Sequence, residues 1–589
     1  MSMPPHAQAA SSPTPVDFTS PQLTWKALMT GMILGAVLSI CNVYTGLKIG
    51  WGINMSITGI LLAFAFWRAL SLASARRVGM LGPLENNVNQ SAVSAAGAVS
   101  SAGLVSAIPA LTILEGVTLA WWQLVAWIST VCFVGIAVAM GLRRQMIIRD
   151  GLAFPSGTAC AQTIREVYGR GSEAMRRVSM LGAGAVGGAA FKLAEILKWT
   201  RRSDLGVTIN GSSAATYSFA LDPTLLMVAV GGLVGPRTGV SVLLGAVLGW
   251  GVLGVWLVDS GRVGATRASI GDWILWPGVT LMVVASLVSF SFSLPSILRS
   301  FRWSGAGAPS EDTGEVPRRW FFVSMIVALI LAVFLQGWFF GIAWWAGVAA
   351  VLLSFVLAVV ASRVSGETNV TPVGPMGKVT QLAFAALMPK SAAANLMSAS
   401  VTAGAASQCA DLMHDLKCGY LLGGVARRQV VAQILGSIAG ALVGCAFYLV
   451  LVPDPKTMLM TEAWPAPAVA QWKAVAEVFR EGFHALPAGV PIAMLLAAFA
   501  GVVLPVLERV LPKKAGTWVP SAAAVGLAFV IPGSNSLSMF LGGAAAFVLT
   551  KMFPNWSGRY LVTVCAGIVA GESLTGAGDA IRLVLAGVG

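Results

Sequence analysis

Apolar runs of about 20 residues, the length of a bilayer-crossing helix, alternate with short polar breaks along the chain. The runs lie near residues 25–41, up to 70, 119–141, 178–199, 220–234, 237–258, 272–298, 320–339, 341–362, 426–453, 488–507, 517–531, 535–553 and 558–588. This pattern predicts an all-α polytopic membrane protein with about 14–16 transmembrane helices, re-entrant or broken half-helices included.

Composition narrows the class further. Of the 589 residues, 56% are hydrophobic and 11% are charged. A soluble domain carries about 25% charged residues, so an ordinary soluble protein is excluded. The net charge of +14 comes from basic pairs between apolar runs, such as Arg76-Arg77 and Arg427-Arg428. Such pairs are typical of cytoplasmic loops, so we expect an integral protein of the cytoplasmic (inner) membrane with a cytoplasmic N-terminus. The lipid bilayer is therefore a partner, and nucleic acid is not, because no basic, aromatic-rich module is present.

The distribution of polar residues divides the chain into four segments. They are a disordered N-terminal tail (1–24), a first membrane half (25–298), a polar linker (299–319) and a second membrane half (320–589). The tail lacks the basic start and apolar core of a cleavable signal peptide.

The two halves are weakly alike. Glu85-Asn86-Asn87-Val88 is similar to Glu367-Thr368-Asn369-Val370, and Arg143-Arg144-Gln145 is similar to Arg427-Arg428-Gln429. Weak internal similarity with interrupted segments in both halves predicts a pseudo-repeat and points to a transporter site at the interruptions.

The stretch from Gly366 to Gly424 concentrates polar, charged and helix-breaking residues between two apolar regions. An ionisable group in hydrocarbon costs at least about 2.5–3.5 kcal/mol, so such groups mark a pathway or a ligand. Gln408, Asp411, Asp415 and Cys418 follow the spacing of one helix face, which predicts the polar wall of a cavity. The alternative is a solvated helix end in a loop.

Three further breaks contain similar side chains, around Asn42–Trp51, Glu85–Ser91 and Phe154–Thr158. The candidate substrate-binding residues are Asn42, Tyr44, Lys48, Asn86, Asn89, Gln90, Ser156, Thr158, Asn369, Lys378 and Gln408. The candidate proton-coupling residues are Glu85, Glu367, Asp411, Asp415, Glu572 and Asp579. Ser156 and Thr158 are expected to cap a helix that Pro155 begins. We expect this short helix to re-enter from the cytoplasm; a full span that breaks the charge rule is the alternative.

Enzyme and cofactor motifs do not hold. Gly182–Gly187 fits a dinucleotide fingerprint, but it lies inside an apolar helix with no preceding strand, so helix packing explains it. Gly576-Ala577-Gly578-Asp579 matches the G-x-G-D of intramembrane aspartyl proteases, but the Tyr-Asp pair with the second carboxylate is missing. Cys409 and Cys418 are nine residues apart with His414 off their stripe, so we predict no metal site and no cofactor.

These motifs together resemble the oligopeptide transporter family, which includes the yellow stripe-like metal-chelate carriers. The matching residues are Asn42–Lys48 with Gly50-Trp51, Phe154–Ala159, Gly366–Asn369 and Ala410–Tyr420. The family usually has Thr at the position of Cys418 and often Gln at that of His414. The matches follow the family order over nearly the full chain, and the length suits the bacterial branch.

The resemblance implies about sixteen helices and proton-driven uptake of small peptides or peptide-like compounds by alternating access. A metal–siderophore or metal–nicotianamine-type chelate importer is the alternative, and an intramembrane aspartyl protease is the second alternative. No catalytic residue is expected. Substrate identity, proton stoichiometry and the titrating carboxylate stay open, and so does assembly into a homo-oligomer.

Overall fold

Helices make up nearly all of the regular secondary structure. The structure, a computed structural model, describes residues 14–169, 171–200, 203–222, 224–292, 314–482 and 486–586. The predicted linker up to residue 313 and the first 13 residues of the predicted tail lie outside these ranges.

The helices before the predicted linker are α1 (Trp25–Ile49), α2 (Ser56–Ala73), α3 (Pro83–Gly97), α4 (Ala107–Glu115), α5 (Trp121–Arg143), α6 (Pro155–Gly169), α7 (Gly171–Ile196), α8 (Leu225–Val234), α9 (Pro236–Ala246), α10 (Gly254–Asp259) and α11 (Arg267–Ser291). A 3-10 turn, Ala98–Ala102, continues α3, and π-helical turns continue α5 (Arg144–Arg149) and join α9 to α10 (Val247–Leu253). Between α7 and α8, β1 (Ser203–Asp204) pairs antiparallel with β4 (Ala220–Leu221), and β2 (Thr208–Ile209) with β3 (Ser212–Ser213).

The later helices are α12 (Arg318–Phe340), α13 (Trp344–Thr368), α14 (Val373–Leu387), α15 (Ala392–Leu422), α16 (Ala426–Leu451), α17 (Pro455–Met458), α18 (Pro467–Glu481), α19 (Val490–Val510), α20 (Lys513–Gly516), α21 (Ala522–Val530), α22 (Gly533–Met552) and α23 (Pro554–Leu585).

Eleven helices of the described ranges, with their extensions, are long and apolar enough to cross a membrane. They are α1, α2, α3 with α4, α5, α9 with α10, α11, α12, α13, α16, α19 and α23. The predicted class, an all-α polytopic membrane protein, is confirmed. The predicted count of helices is larger because it includes short helices such as α8 and polar ones such as α15.

Helix α15 runs through the middle of the protein, and almost all of its side chains are buried. Its first turn is capped by Ser391, whose Oγ accepts a hydrogen bond from the N–H of Ala394 at 3.0 Å. It ends at Gly423, where φ is 80°, a conformation that glycine adopts at low cost. A cap and a glycine stop thus define a 31-residue helix despite its polar side chains.

Small residues let the helices pack closely. A Cβ atom at Gly440 of α16 would lie 2.5 Å from Ala96 Cα of α3, so the two backbones nearly touch. A Cβ atom at Gly188 of α7 would meet the Ile568 backbone of α23. Gly184 and Gly188 therefore serve helix packing, as the sequence predicts.

Two groups of helices can be distinguished by their packing. The first group comprises α1, α3, α5, α13, α15 and α16. The second group comprises α8, α9, α11, α19, α21 and α22. Each group combines helices from before and after the linker. The helices of the two predicted membrane halves thus pack among one another.

The motif pairs used to argue for a repeat do not occupy equivalent positions. Glu85 lies in the first turn of α3, whereas Glu367 lies in the last turn of α13. Arg143 ends α5, whereas Arg427 lies in the first turn of α16. Motifs at opposite ends of their helices do not occupy equivalent positions in two repeated units. These two motif pairs therefore do not support a structural repeat.

Residues 14–24 pack over the turn between α15 and α16. The Thr14 hydroxyl donates to the Leu421 carbonyl at 2.8 Å, and the Asp17 N–H donates to the Gly423 carbonyl at 2.8 Å. The Gln22 side chain accepts a hydrogen bond from the N–H of Val425 at 2.9 Å. This part of the predicted tail is therefore bound to the helix turn.

Candidate functional site

A cavity of about 860 Å³ lies between the two helix groups. The first group and the segments attached to it contribute the loop after α1, the end of α3, the start of α6, residues 369–374, α15 and α18. The second group contributes the α8–α9 junction, α11 and α21. The predicted central stretch therefore forms part of the cavity wall, together with two of the three other polar breaks.

The α15 wall is formed by Ala403, Ser407, Asp411 and His414. Their spacing of four, four and three residues keeps these side chains on one helix face. The predicted cavity face consisted of Gln408, Asp411, Asp415 and Cys418. The prediction holds for Asp411, which lines the cavity, and is wrong for the other three residues. Gln408 and Asp415 point to the adjacent side, towards α3 and α16. Asp411 belongs to both stripes because it lies at their border.

Asp411 is the one carboxylate among the described residues that line the cavity. It is half-buried, and the Ser407 hydroxyl lies 3.5 Å from its Oδ2. No described cation forms an ion pair with it. A carboxylate in this setting can exchange a proton with the cavity or bind a cationic group of a ligand.

His414 connects three segments at the edge of the cavity. Its Nδ1 accepts a hydrogen bond from the N–H of Gly157 at 3.3 Å, and its Nε2 lies 2.9 Å from the Ser365 hydroxyl. The ring also packs edge-on against Phe154, with 5.3 Å between the ring centroids. Since Nδ1 accepts, the ring proton lies on Nε2 and is donated to Ser365. Both nitrogens are engaged, so His414 positions α6 and is not free to bind a metal.

Asn369 and Ser156 meet at the same edge. Asn369 lies just after α13 with φ of 65°, and its Oδ1 accepts from both the N–H and the hydroxyl of Ser156. The expectation that Ser156 and Thr158 cap α6 is corrected: Asn369, from a distant segment, supplies the capping oxygen. The Thr158 hydroxyl instead donates to the Ala153 carbonyl at 2.8 Å.

Asn42 holds the loop that follows α1. Its amide nitrogen donates to the carbonyls of Ile53 and Gly97, and its oxygen accepts from the N–H of Ile53. Asn42 lines the cavity, but all three of these bonds are internal. These three bonds show that the Asn42 side chain fixes the shape of the loop.

Behind the α15 wall, Asp415 is buried in a network of amides. It accepts a hydrogen bond from Gln90 of α3. When the side-chain amide of Gln433 in α16 is oriented with its nitrogen towards Asp415, this nitrogen donates a hydrogen bond to Asp415 Oδ2 at 3.1 Å. Gln429 donates to the Asp415 carbonyl at 2.8 Å, and Gln408 donates to the Ala95 carbonyl at 3.0 Å. The network joins α3, α15 and α16.

Several predicted site residues lie away from the cavity and have structural partners. Asn86 and Asn89 donate to the Ile60 and Gly59 carbonyls of α2. Tyr44 packs edge-on against Trp464 with 5.2 Å between ring centroids. Lys48 donates to the Ala463 carbonyl and lies 4.7 Å from the centroid of Trp464. Lys378 is buried behind a cavity wall residue, Trp472.

Four predicted carboxylates also have partners elsewhere. Glu85 accepts from the Gly82 N–H and the Thr24 hydroxyl, and Glu572 accepts from the Leu226 N–H and the Thr224 hydroxyl. These contacts stabilise the starts of α3 and α8. Glu367 forms an ion pair with Arg363, and Asp579 forms one with Arg582. Among the described residues that line the cavity, Asp411 is present and these four are not.

Other lining residues do not belong to the predicted set. Trp472 and Gln471 lie on α18, a short helix whose sequence has one apolar and one polar face. The sequence signal that could have pointed to these two residues is the amphipathic pattern of their helix, which stands out in so apolar a chain. Thr238, Ser286 and Ser521 line the opposite wall, and each is an isolated hydroxyl residue. No sequence pattern distinguishes such residues from helix-packing ones.

Fold and site together define a polytopic helical membrane protein with a polar cavity between two helix groups. The family model described as OPT oligopeptide transporter protein matches residues 22–578. The chain therefore belongs to the oligopeptide transporter family, as its motifs indicate. This is a family of transporters, and the conclusion that the chain is no enzyme follows from membership.

Several relatives match this chain over most of its length at low identity. The chain is 24% identical over 472 residues to the iron-phytosiderophore transporter yellow stripe 1 of Zea mays, with 73% of this chain and 69% of that protein covered. A metal-nicotianamine transporter of Arabidopsis thaliana is 24% identical over 470 residues with the same coverage. A Saccharomyces cerevisiae protein named for oligopeptide transport is 24% identical over 424 residues, which cover 61% of this chain and 58% of that protein. The chain thus covers less than two thirds of the yeast protein's length.

Proposed function

We propose that this protein is a proton-coupled symporter that imports small oligopeptides or peptide-like compounds by alternating access. The observation that carries the proposal is the position of the cavity between two helix groups, with Asp411 on its wall. Transporters of this kind hold the substrate at the contact between two helix bundles that rock around it.

Each helix group is suited to move as a unit. Close glycine contacts such as Gly440 with Ala96 join helices within the first group, and Gly526 with the Met282 backbone joins helices within the second. The cavity separates the groups over part of their facing surfaces. Opening it to one side and then to the other requires small rotations of two well-packed bundles.

Asp411 is the residue that we assign to proton coupling. It borders the cavity, and the Asp415 network begins one helix turn further along α15. A proton on Asp411 would remove a charge that is costly to bury when the cavity closes. One charge crossing 100 mV supplies about 2.3 kcal/mol, enough for roughly fifty-fold accumulation.

The lining suits a peptide-like cargo. Hydroxyl and amide side chains dominate its polar part, including Ser94, Ser101, Asn54 and Gln471. They can bind the amides and charged ends of a short peptide in extended form. We further propose insertion in the cytoplasmic membrane with the N-terminus inside, because basic pairs such as Arg76-Arg77 lie between spans.

Import of a metal chelate is the second candidate. It is supported by relatives that are named for metal-nicotianamine and iron-phytosiderophore transport. A chelate with amine and carboxylate groups offers the same chemistry to the cavity as a peptide. Because both nitrogens of His414 are engaged, the cavity would bind the outside of such a chelate and not its metal.

Uptake into proteoliposomes tests the proposal. Labelled trialanine and an iron–nicotianamine chelate are offered with and without an inward proton gradient. We expect gradient-driven accumulation of one of them, and loss of that accumulation in Asp411→Asn. The matched control is Asp454→Asn, since Asp454 caps the short helix α17 away from the cavity and Asn caps equally well. Gradient-driven uptake that persists in Asp411→Asn would remove Asp411 from the coupling role.

A further inference from the structure

Lys378 is a buried lysine next to the cavity. Its side chain is 1% exposed, and it lies one turn beyond Gly374, which lines the cavity. Its Nζ donates one hydrogen bond, to Gln381 Oε1 at 2.8 Å. Within the described part of the chain, no carboxylate is paired with it. A buried ammonium group has three hydrogens to donate and is costly to leave without a counter-charge.

Trp472 stands between Lys378 and the cavity. The Lys378 Nζ lies 4.6 Å from the centroid of the Trp472 ring, and Trp472 itself lines the cavity. A Cβ atom at Gly377 would lie 2.8 Å from Trp472 Cζ2, so the indole occupies the space that glycine leaves on α14. The indole face stabilises the ammonium in the absence of an anion. Rotation of this one side chain would connect the ammonium to the cavity.

We propose that Lys378 and Trp472 form an anion subsite of the cavity, which binds a carboxylate of the cargo when the indole swings aside. This inference rests on the proposed function for the identity of the ligand. The carboxylate would supply the counter-charge that Lys378 lacks and accept its two remaining hydrogens. Gln381 orients the ammonium from behind, since its amide is held by Asn395 at 2.9 Å.

The subsite gives the cavity two ends of opposite charge. Gly377 packs near Ala403, because a Cβ atom at Gly377 would lie 3.8 Å from Ala403 Cβ. Eight residues of α15 separate Ala403 from Asp411, a rise of about 12 Å. An extended peptide of three or four residues has a similar length, at about 3.3–3.6 Å per residue. A cargo with its ammonium at Asp411 and a carboxylate at Lys378 satisfies both ends.

Chemical modification tests the subsite without requiring transport. The purified full-length protein is treated with formaldehyde and borohydride, and methylation of Lys378 is followed by mass spectrometry. The exposed Lys390 is the internal reference. We expect Trp472→Ala, but not Trp472→Phe, to raise the methylation rate of Lys378 several-fold. Propionate should slow that reaction, and the uncharged propionamide should not. Equal effects of the two compounds, or an unreactive Lys378 in Trp472→Ala, would overturn the proposal.

Binding of cargo tests whether the subsite is used. Thermal shifts are measured with trialanine, with trialanine amide and with an iron–nicotianamine chelate, which separates a peptide from a chelate as the source of the carboxylate. We expect the wild type to prefer trialanine or the chelate over the amide several-fold. Lys378→Gln should lose the preference and Lys378→Arg should retain it. A preference that survives in Lys378→Gln overturns the subsite, even if uptake through Asp411 holds. Protection by propionate without binding of either cargo would leave the subsite standing and refute the proposed function.

Discussion

Asn369 Oδ1 accepts a hydrogen bond from the backbone N–H of Ser156 at 2.8 Å and a second from its hydroxyl at 2.7 Å. The two residues are 213 positions apart in the chain. The Phe154 N–H donates to the Gly366 carbonyl at 2.9 Å beside them, so the end of α13 and the start of α6 are joined at the cavity edge. A polar break of the first sequence half thus meets the polar stretch of the second half at the edge of the cavity.

Replacing Asn369 should destabilise this junction. Asn369→Ala removes the capping oxygen, a loss of about 1–2 kcal/mol, and keeps a β-carbon at φ of 65° without the polar side chain that lets Asn adopt this conformation. We expect a lower melting temperature of the purified protein by scanning fluorimetry. The melting temperature of Asn369→Gly should lie between those of Asn369→Ala and the wild type. Glycine removes the energetic cost of positive φ but does not replace the capping oxygen. Equal melting temperatures for all three proteins would contradict the assigned cap.

Gly157 should tolerate no side chain. A Cβ atom there would collide with the carbonyl group of His414, so α6 and α15 would have to separate. We expect Gly157→Ala to lower both the melting temperature and the uptake rate. Gly169 lies on the same helix with open space around its Cα, so Gly169→Ala is the matched control and should be neutral or slightly stabilising. Loss of stability in both variants alike would point to the helix itself and away from the His414 contact.

Glutamine should be able to replace His414, because it can form the same two hydrogen bonds as the neutral imidazole. One amide can accept from the Gly157 N–H and donate to Ser365, as the imidazole does. His414→Gln should therefore keep the melting temperature and uptake close to wild type. His414→Ala leaves the buried Gly157 N–H unpaired, at about 1–3 kcal/mol, and should melt lower. If His414→Gln is as damaging as His414→Ala, the imidazole has a role beyond these two bonds.

The sequence predicted the class of fold and a stretch that borders the cavity because both depend on strong local signals. Apolar length predicts spanning helices, and ionisable groups among them are rare enough to mark a cavity. The orientation of α15 was harder to predict. Asp411 and Asp415 are four residues apart, and only packing of α3 and α16 decides that Asp415 is enclosed while Asp411 borders the cavity.

Other parts of the site had no local signal. Asn42 reads as a ligand-binding amide but holds a loop, because its partners at Ile53 and Gly97 are backbone atoms. The wall contributed by the second helix group consists of isolated residues such as Thr238 and Ser286. Their common surroundings arise only when distant helices pack together.

Thiol labelling tests most directly whether the cavity between the helix groups holds the cargo. All seven native cysteines are buried, so a new cysteine can be followed with a small water-soluble thiol reagent. Ser407 lines the cavity, whereas Ser354 is buried against Thr402 on the far side of α15. We predict that Ser407→Cys is labelled, that transported cargo slows this labelling, and that Ser354→Cys is not labelled. Labelling of Ser407→Cys at the same rate with and without transported cargo would contradict the account.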